Sequence, residues 1–295
     1  MTGRDRNCPK TVGAASGSAV IRRDTALPAK PPGRRTAVAS FCLAAFCAIL
    51  ALAPAAFALE ITVPTRSGMT VDVLVEVPRG APALILLFEG GRGILAPGST
   101  GFAHRAHRHF LQKGIGSALV GAPVDITGLN GGLSPWSRET PKHIADIDSV
   151  VATLRRYYKL PIWVLGVSNG SRSAAAYAMR RSDRIDGVVL VSSSTLPPNG
   201  DPIHTLPRLR AVTVPVLAVA HEDDGCQGSP PSGATEIAKA AIASPDAAAI
   251  FFSGGLNTGR APCGNETHHT LYGIEDQVVS AIAEFITAHP ASGAQ

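Results

Sequence analysis

A serine, two adjacent aspartates and two adjacent histidines carry the chemistry that this sequence offers. Ser168 stands in Gly166-Val167-Ser168-Asn169-Gly170, Asp223 and Asp224 in His221-Glu222-Asp223-Asp224-Gly225-Cys226, and His268 and His269 in Asn265-Glu266-Thr267-His268-His269-Thr270-Leu271-Tyr272-Gly273. A serine hydroxyl is a weak nucleophile at neutral pH, so it needs a base to take its proton and a third group to orient that base. An aspartate and a histidine from later segments supply both, and the reaction they point to is acyl transfer. The bare G-x-S-x-G pattern is weak evidence, because glycine and serine are common. Its flanks give it weight: Pro161-Ile162-Trp163-Val164-Leu165 precedes it with strand character, and the alanine-rich stretch from Ser171 to Arg180 follows with helical propensity.

A strand that reverses into a helix within about four residues holds its apex residue in a strained conformation and lifts that side chain clear of the sheet. Ser168 is that apex. Gly166 and Gly170 flank it because a Cβ at either place would collide with the returning chain. The rest of the sequence supplies elements of the same kind. Leu59–Pro64 and Thr70–Val77 alternate as strands around an Arg66-Ser67-Gly68 turn, and Ala83–Phe88 is a continuous apolar run suited to a buried parallel strand. The pattern predicts a helix over Phe102–Lys113 ended by Gly114 and a strand over Gly116–Val120. A helix capped by Thr140 follows, with Pro141 in its first turn and Ile144, Ile147, Val151, Leu154 and Tyr158 on its buried face. Strands over Gly187–Val191, Pro215–Ala220 and Ala247–Phe252, a helix near Thr235–Ile242 and a last helix carrying Val278, Ile282 and Phe285 complete the alternation. This is an α/β architecture, a doubly wound and mainly parallel sheet with helices on both faces, in which ligands bind at the carboxyl ends of the strands.

The formal net charge of +5 is unevenly placed. Eight of the 27 Lys and Arg residues lie in residues 1–58 against two of the 22 Asp and Glu, which leaves the remainder with 19 basic and 20 acidic residues and little to recommend a nucleic-acid partner. Arg34-Arg35, the uncharged run Thr36–Phe57 and the small residues of Ala56-Phe57-Ala58 read as a secretory signal peptide cut after Ala58, behind a polar extension. An uncleaved membrane anchor is the alternative, disfavoured by Pro54 and the alanine content; the Arg pair also leaves open a twin-arginine route. Residues 59–295 then form one domain, exported to the periplasm or beyond. Cys8, Cys42 and Cys47 leave with the leader, and the remaining pair, Cys226 and Cys263, is expected to form a disulfide.

With Phe88-Glu89-Gly90-Gly91-Arg92-Gly93, Gly166–Gly170 and the His221–Cys226 and His268–Glu275 segments in this order, the chain from Leu59 to the last helix resembles the serine α/β-hydrolase superfamily, in particular its small exported esterase-like members without a large cap. The resemblance implies Ser168 as nucleophile, Asp224 rather than Asp223 as the acid, and His269 rather than His268 as the base. It implies an oxyanion hole from the N–H groups of Asn169 and Gly91, with Arg92 in reserve, and no cofactor or metal. Glu89 departs from the family, where histidine or proline is usual. The Cys226–Cys263 bridge is expected to tie the acid loop to the base loop. A small or soluble ester is the expected substrate, taken into an open site since the Val191–Pro215 segment is short; acyl transfer or peptide cleavage by the same triad, and a non-catalytic envelope binding protein, are the alternatives. His104, His107 and His109 read as a solvated basic face rather than a metal site, and Trp136 either lines the acyl pocket or packs.

Overall fold

The computed structural model describes residues 58–95, 98–123, 125, 131–196 and 206–291. The expected leader up to Phe57 falls outside these residues, as does part of the glycine-rich loop before Trp136. Strands β1 (Leu59–Pro64) and β2 (Thr70–Glu76) form the expected hairpin, closed by the Met69 N–H on the Arg66 carbonyl. Then come β3 (Leu84–Phe88), α1 (Phe102–Gln112), β4 (Gly116–Val120), α2 (Pro141–Tyr158), β5 (Ile162–Val167) and α3 (Gly170–Arg181). After these the chain forms β6 (Gly187–Val191), β7 (Val216–His221), α4 (Ser232–Ala240), β8 (Ala247–Phe252) and α5 (Glu275–Ala288).

The strands lie in the order β1-β2-β4-β3-β5-β6-β7-β8, antiparallel at β1/β2 and β2/β4 and parallel from β4 to β8. Every residue of β3 to β7 is buried, which is why these strands read as unbroken apolar runs, whereas β2 alternates because only one of its faces meets a helix layer. One core layer packs Ile147, Leu154 and Tyr177 of α2 and α3 against Leu86, Val164 and Leu190. On the opposite face Phe102, Phe110, Val278 and Ile282 of α1 and α5 pack against Leu87, Leu165 and Val189. The doubly wound arrangement read from the sequence is therefore the arrangement present.

Two readings need correction. Helix α4 begins at Ser232, three residues before the expected Thr235, because Pro231 with its fixed φ pre-organises the turn that enters it. The histidines of α1 do not make a solvated face: His107 is buried, its ring bonded to Ser117 Oγ (2.9 Å) and Glu76 Oε1 (3.1 Å), and His104 pairs with Glu89 (3.0 Å). Their partners come from β2, β4 and the loop after β3, distant in sequence, so proximity along the chain gave no hint of them.

Thr140 is at the N-cap of α2 in an extended conformation and its Oγ1 accepts from the His143 N–H, with Pro141 following. Replacing Thr140 by Ala removes that acceptor and is expected to lower the unfolding free energy by about 1 kcal/mol, measured by urea denaturation.

Candidate active site

The turn from β5 to α3 is built by steric exclusion. A Cβ on Gly166 would lie 2.2 Å from the Gly170 carbonyl oxygen, and one on Gly170 would lie 2.1 Å from the Phe88 carbonyl oxygen. Only glycine at both positions lets the helix fold back over β5 and against the end of β3. Between them Ser168 has φ 51°, the left-handed region that non-glycine residues enter at a cost, and its N–H donates to the Val191 carbonyl (2.9 Å). The side chain at this apex is half-buried at the carboxyl edge of the sheet.

Two strands along, the chain leaves β7 into the acid loop. Asp224 is buried; one carboxylate oxygen accepts from the Cys226 N–H (2.9 Å) and the other from His269 Nδ1 (2.9 Å). A carboxylate without a proton only accepts, so in this bond His269 donates from Nδ1, and in the neutral ring the lone pair then stands on Nε2. That nitrogen is buried and makes no hydrogen bond. A basic nitrogen held dry in one tautomer, with no donor, is the arrangement a general base requires. Ser168 stands at the end of β5, two strands from the end of β7 that carries Asp224, and among the described residues no hydrogen bond joins its hydroxyl to His269.

The neighbouring pair serves differently. Asp223 directs its N–H to His221 Nδ1 (3.0 Å) while its side chain faces solvent, and His268 stacks on His221 with ring centroids 4.1 Å apart. His221, Asp223 and His268 gather donor atoms of the metal-binding kind within 4.8 Å of one another. His221 has nothing left for an ion, however, since Nε2 donates to the Gly254 carbonyl (2.8 Å) and Nδ1 accepts from Asp223. The cluster pins the acid loop to the base loop.

Cys226 and Cys263 are joined, with Cα atoms 4.7 Å apart. The same Cys226 that holds Asp224 through its N–H is thus bonded to the loop that leads to His269.

In the loop after β3, a Cβ on Gly90 would stand 3.3 Å from Ser168 Cβ. The Gly90 N–H is taken by Glu89 Oε1 (2.8 Å), whereas among the described residues no hydrogen bond occupies the N–H of Gly91 or of Asn169. Gly91 has φ 52° and lies exposed at the first central position of the turn closed by the Gly93 N–H on the Gly90 carbonyl (2.9 Å). Glu89 itself is buried. Burial alone would push its carboxyl up, but the hydrogen bonds from His104 and the Gly90 N–H hold it below the usual carboxylate range. Trp136 is exposed rather than packed, with the Arg172 guanidinium 5.8 Å from its ring.

The family described as serine aminopeptidase, S33, matches residues 127–242, a stretch that holds Ser168 and Asp224 and stops short of His269. No curated protein matches the sequence. Among solved structures the chain is similar to Est1E from Butyrivibrio proteoclasticus, at 14% identity and TM-score 0.56 over 78% of this chain and 98% of that one. It is similar also to a dienelactone hydrolase from Anabaena variabilis, at 12% identity and TM-score 0.58 over 80% and 99%. The chain is an α/β-hydrolase by fold. A proline iminopeptidase from Mycobacterium smegmatis, at 15% identity and TM-score 0.55 over 79% and 99%, shares the same α/β-hydrolase frame.

Two features of this fold are open to measurement in solution. The bridge closes a span of 37 residues, so its reduction is expected to lower the unfolding free energy by about 4 kcal/mol in the chain-entropy account, read from denaturation with and without reductant. His143 of α2 is buried against Ser173 Oγ (2.9 Å), and burial, with the nearby charges of Arg138 and Arg66, lowers its pKa from 6.5 to about 3. The unfolded chain therefore binds this proton first, and the stability present above about pH 6.5 is lost as pH falls toward 3. Melting temperature is expected to drop across that window, and His143→Gln is expected to flatten the drop.

Proposed function

We propose that this α/β-hydrolase is an exported serine esterase acting on a small or soluble ester. Ser168 Oγ attacks the acyl carbonyl carbon while His269 Nε2 takes the hydroxyl proton; the oxyanion is met by the N–H groups of Asn169 and Gly91. His269 then hands the proton to the departing alkoxide, leaving an acyl enzyme on Ser168. Water repeats the sequence, giving its proton to His269 and its oxygen to the acid product. Asp224 keeps Nδ1 protonated and steadies the imidazolium.

The observation that carries the reading is the buried Asp224–His269 hydrogen bond, with an unpaired Nε2, at the same sheet edge as a serine of left-handed φ. An ester is favoured because an alkoxide leaves with less help than an amine, and the similarity to Est1E and to a dienelactone hydrolase lies on the same side. The disulfide supports export, since such bonds persist in oxidising compartments. Among the described residues no helix is long and apolar enough to cross a membrane. A second reading, a peptidase using the same three residues, is favoured by the match to the serine aminopeptidase family and by the likeness to a proline iminopeptidase.

Purified protein is expected to hydrolyse short-chain p-nitrophenyl esters and to be labelled by a fluorophosphonate, and Ser168→Ala to lose both. Asp224→Asn is expected to cut kcat on the order of 10⁴-fold by imposing the wrong tautomer, with Asp223→Asn close to wild type. Faster turnover of proline or alanine p-nitroanilides than of esters would replace the esterase with the peptidase, and equal activity in Ser168→Ala would refute both.

A further inference from the structure

Arg138 is among the largest fully buried side chains, and among the described residues it forms no salt bridge. It extends from a short 3-10 helix, Ser137–Glu139, and lies between the loop after β3 and helix α3. One guanidinium nitrogen, Nη2, donates to the carbonyls of Glu89 (3.1 Å) and Gly91 (3.1 Å), and the other, Nη1, donates to Ser173 Oγ (2.9 Å) on α3. The loop is shaped around it: a Cβ on Gly93 would stand 2.8 Å from Nη2. Burial pulls Arg138 down to about 10, against the attraction of Glu89, so the group keeps its charge at neutral pH. Burying a cation without a carboxylate bonded to it is expensive, and an apolar residue of similar size would fill the space at lower cost.

The position of the group accounts for that expense. Glu89 to Gly93 is the loop expected to supply one oxyanion donor, and a loop offers carbonyls as readily as N–H groups. A carbonyl facing a developing oxyanion repels it. By taking up the carbonyls of Glu89 and Gly91, the guanidinium removes two oxygens from that role and adds a fixed positive charge beneath the loop. Its bond to Ser173, five residues after Ser168 on the same turn and helix, sets the loop's position relative to the nucleophile. From the other side the Glu89 carboxylate fixes the Gly90 N–H (2.8 Å) and, at the first turn of α1, the His104 N–H (3.3 Å) and ring Nδ1 (3.0 Å). The Glu89 that departs from the family's usual histidine or proline is thus the counter-anchor of the same loop.

We propose that Arg138 is the positioning residue of the oxyanion loop: it holds the Glu89 and Gly91 carbonyls inward and the loop against α3, so that the loop stabilises the tetrahedral intermediate more than the bound ester. This rests on the serine-hydrolase reading. The test uses Arg138→Lys, which keeps the charge but loses the fork that reaches both carbonyls and Ser173, and Ser173→Ala, which removes the tie to α3 together with the partner of His143 Nε2, with His143→Gln as the control for that second loss. Steady-state hydrolysis of p-nitrophenyl butyrate, inhibition by a trifluoromethyl ketone that forms a tetrahedral adduct, and melting temperature are measured for each. Arg138→Lys is expected to lower kcat about 100-fold, comparable to loss of one oxyanion donor, with KM within about threefold and inhibitor affinity falling in parallel with kcat/KM. Ser173→Ala, which decides the matter if the lysine variant does not fold, is expected to lower kcat about tenfold with the same unchanged KM. A kcat within threefold of wild type in a folded variant overturns the proposal, as does a melting-temperature loss with inhibitor affinity retained. Wild-type protein that neither turns over the ester nor reacts with a fluorophosphonate at Ser168 overturns the hydrolase reading first, and the proposal with it.

Discussion

The close crossing of β5, α3 and the end of β3 is the constraint from which the site follows. Two glycines allow it, at Gly166 and Gly170, where a side chain would meet backbone oxygens at little more than 2 Å. Backbone cannot give way as a flexible side chain can, so the crossing fixes three things together. Ser168 is forced into its left-handed conformation, α3 starts immediately beyond it, and the loop after β3 is brought beside the serine. The strain at Ser168 is sustained by buried strands on either side, whose apolar contacts outweigh one unfavourable dihedral.

The acid and the base are organised by a different economy, one of saturation. Both oxygens of Asp224 are occupied, by Cys226 and by His269, and both nitrogens of His221 are occupied, by Asp223 and by Gly254. Stacked rings and a covalent bond then bind the two loops to each other. The Nε2 of His269 is left without a partner, as are the Ser192, Ser193 and Thr195 hydroxyls just beyond β6.

Much of this was legible in the residues because it obeys local rules. The unbroken apolar run Ala83–Phe88 marks β3 as a strand buried on both faces, the Thr140-Pro141 pair marks the start of α2, and the Gly-x-Ser-x-Gly turn locates its apex. The choice of Asp224 over Asp223 came from resemblance, and the geometry shows the physical difference: one faces inward to a ring, the other to solvent. What stayed hidden is what depends on partners far along the chain. Arg138 sits in Ser-Pro-Trp-Ser-Arg-Glu, which reads as an ordinary polar loop, and nothing local says that it reaches carbonyls 47 and 49 residues away. The solvated face expected of His107 is absent for the same reason, since Glu76 and Ser117 meet it only once the sheet has formed. A glutamate where histidine or proline was expected, followed by glycines, was the one signal that the loop after β3 has unusual supports.

Helix α1 joins these parts in a way its own sequence conceals. In its first turn His104 receives the Glu89 carboxylate, and the next residue, Arg105, reaches the Thr270 carbonyl (2.7 Å) and the Glu275 carboxylate (2.5 Å), next to His269 and at the start of α5. One helix thereby holds both the loop expected to receive negative charge and the segment expected to carry the proton acceptor. The two loops therefore share one support, although nothing in their own sequences joins them.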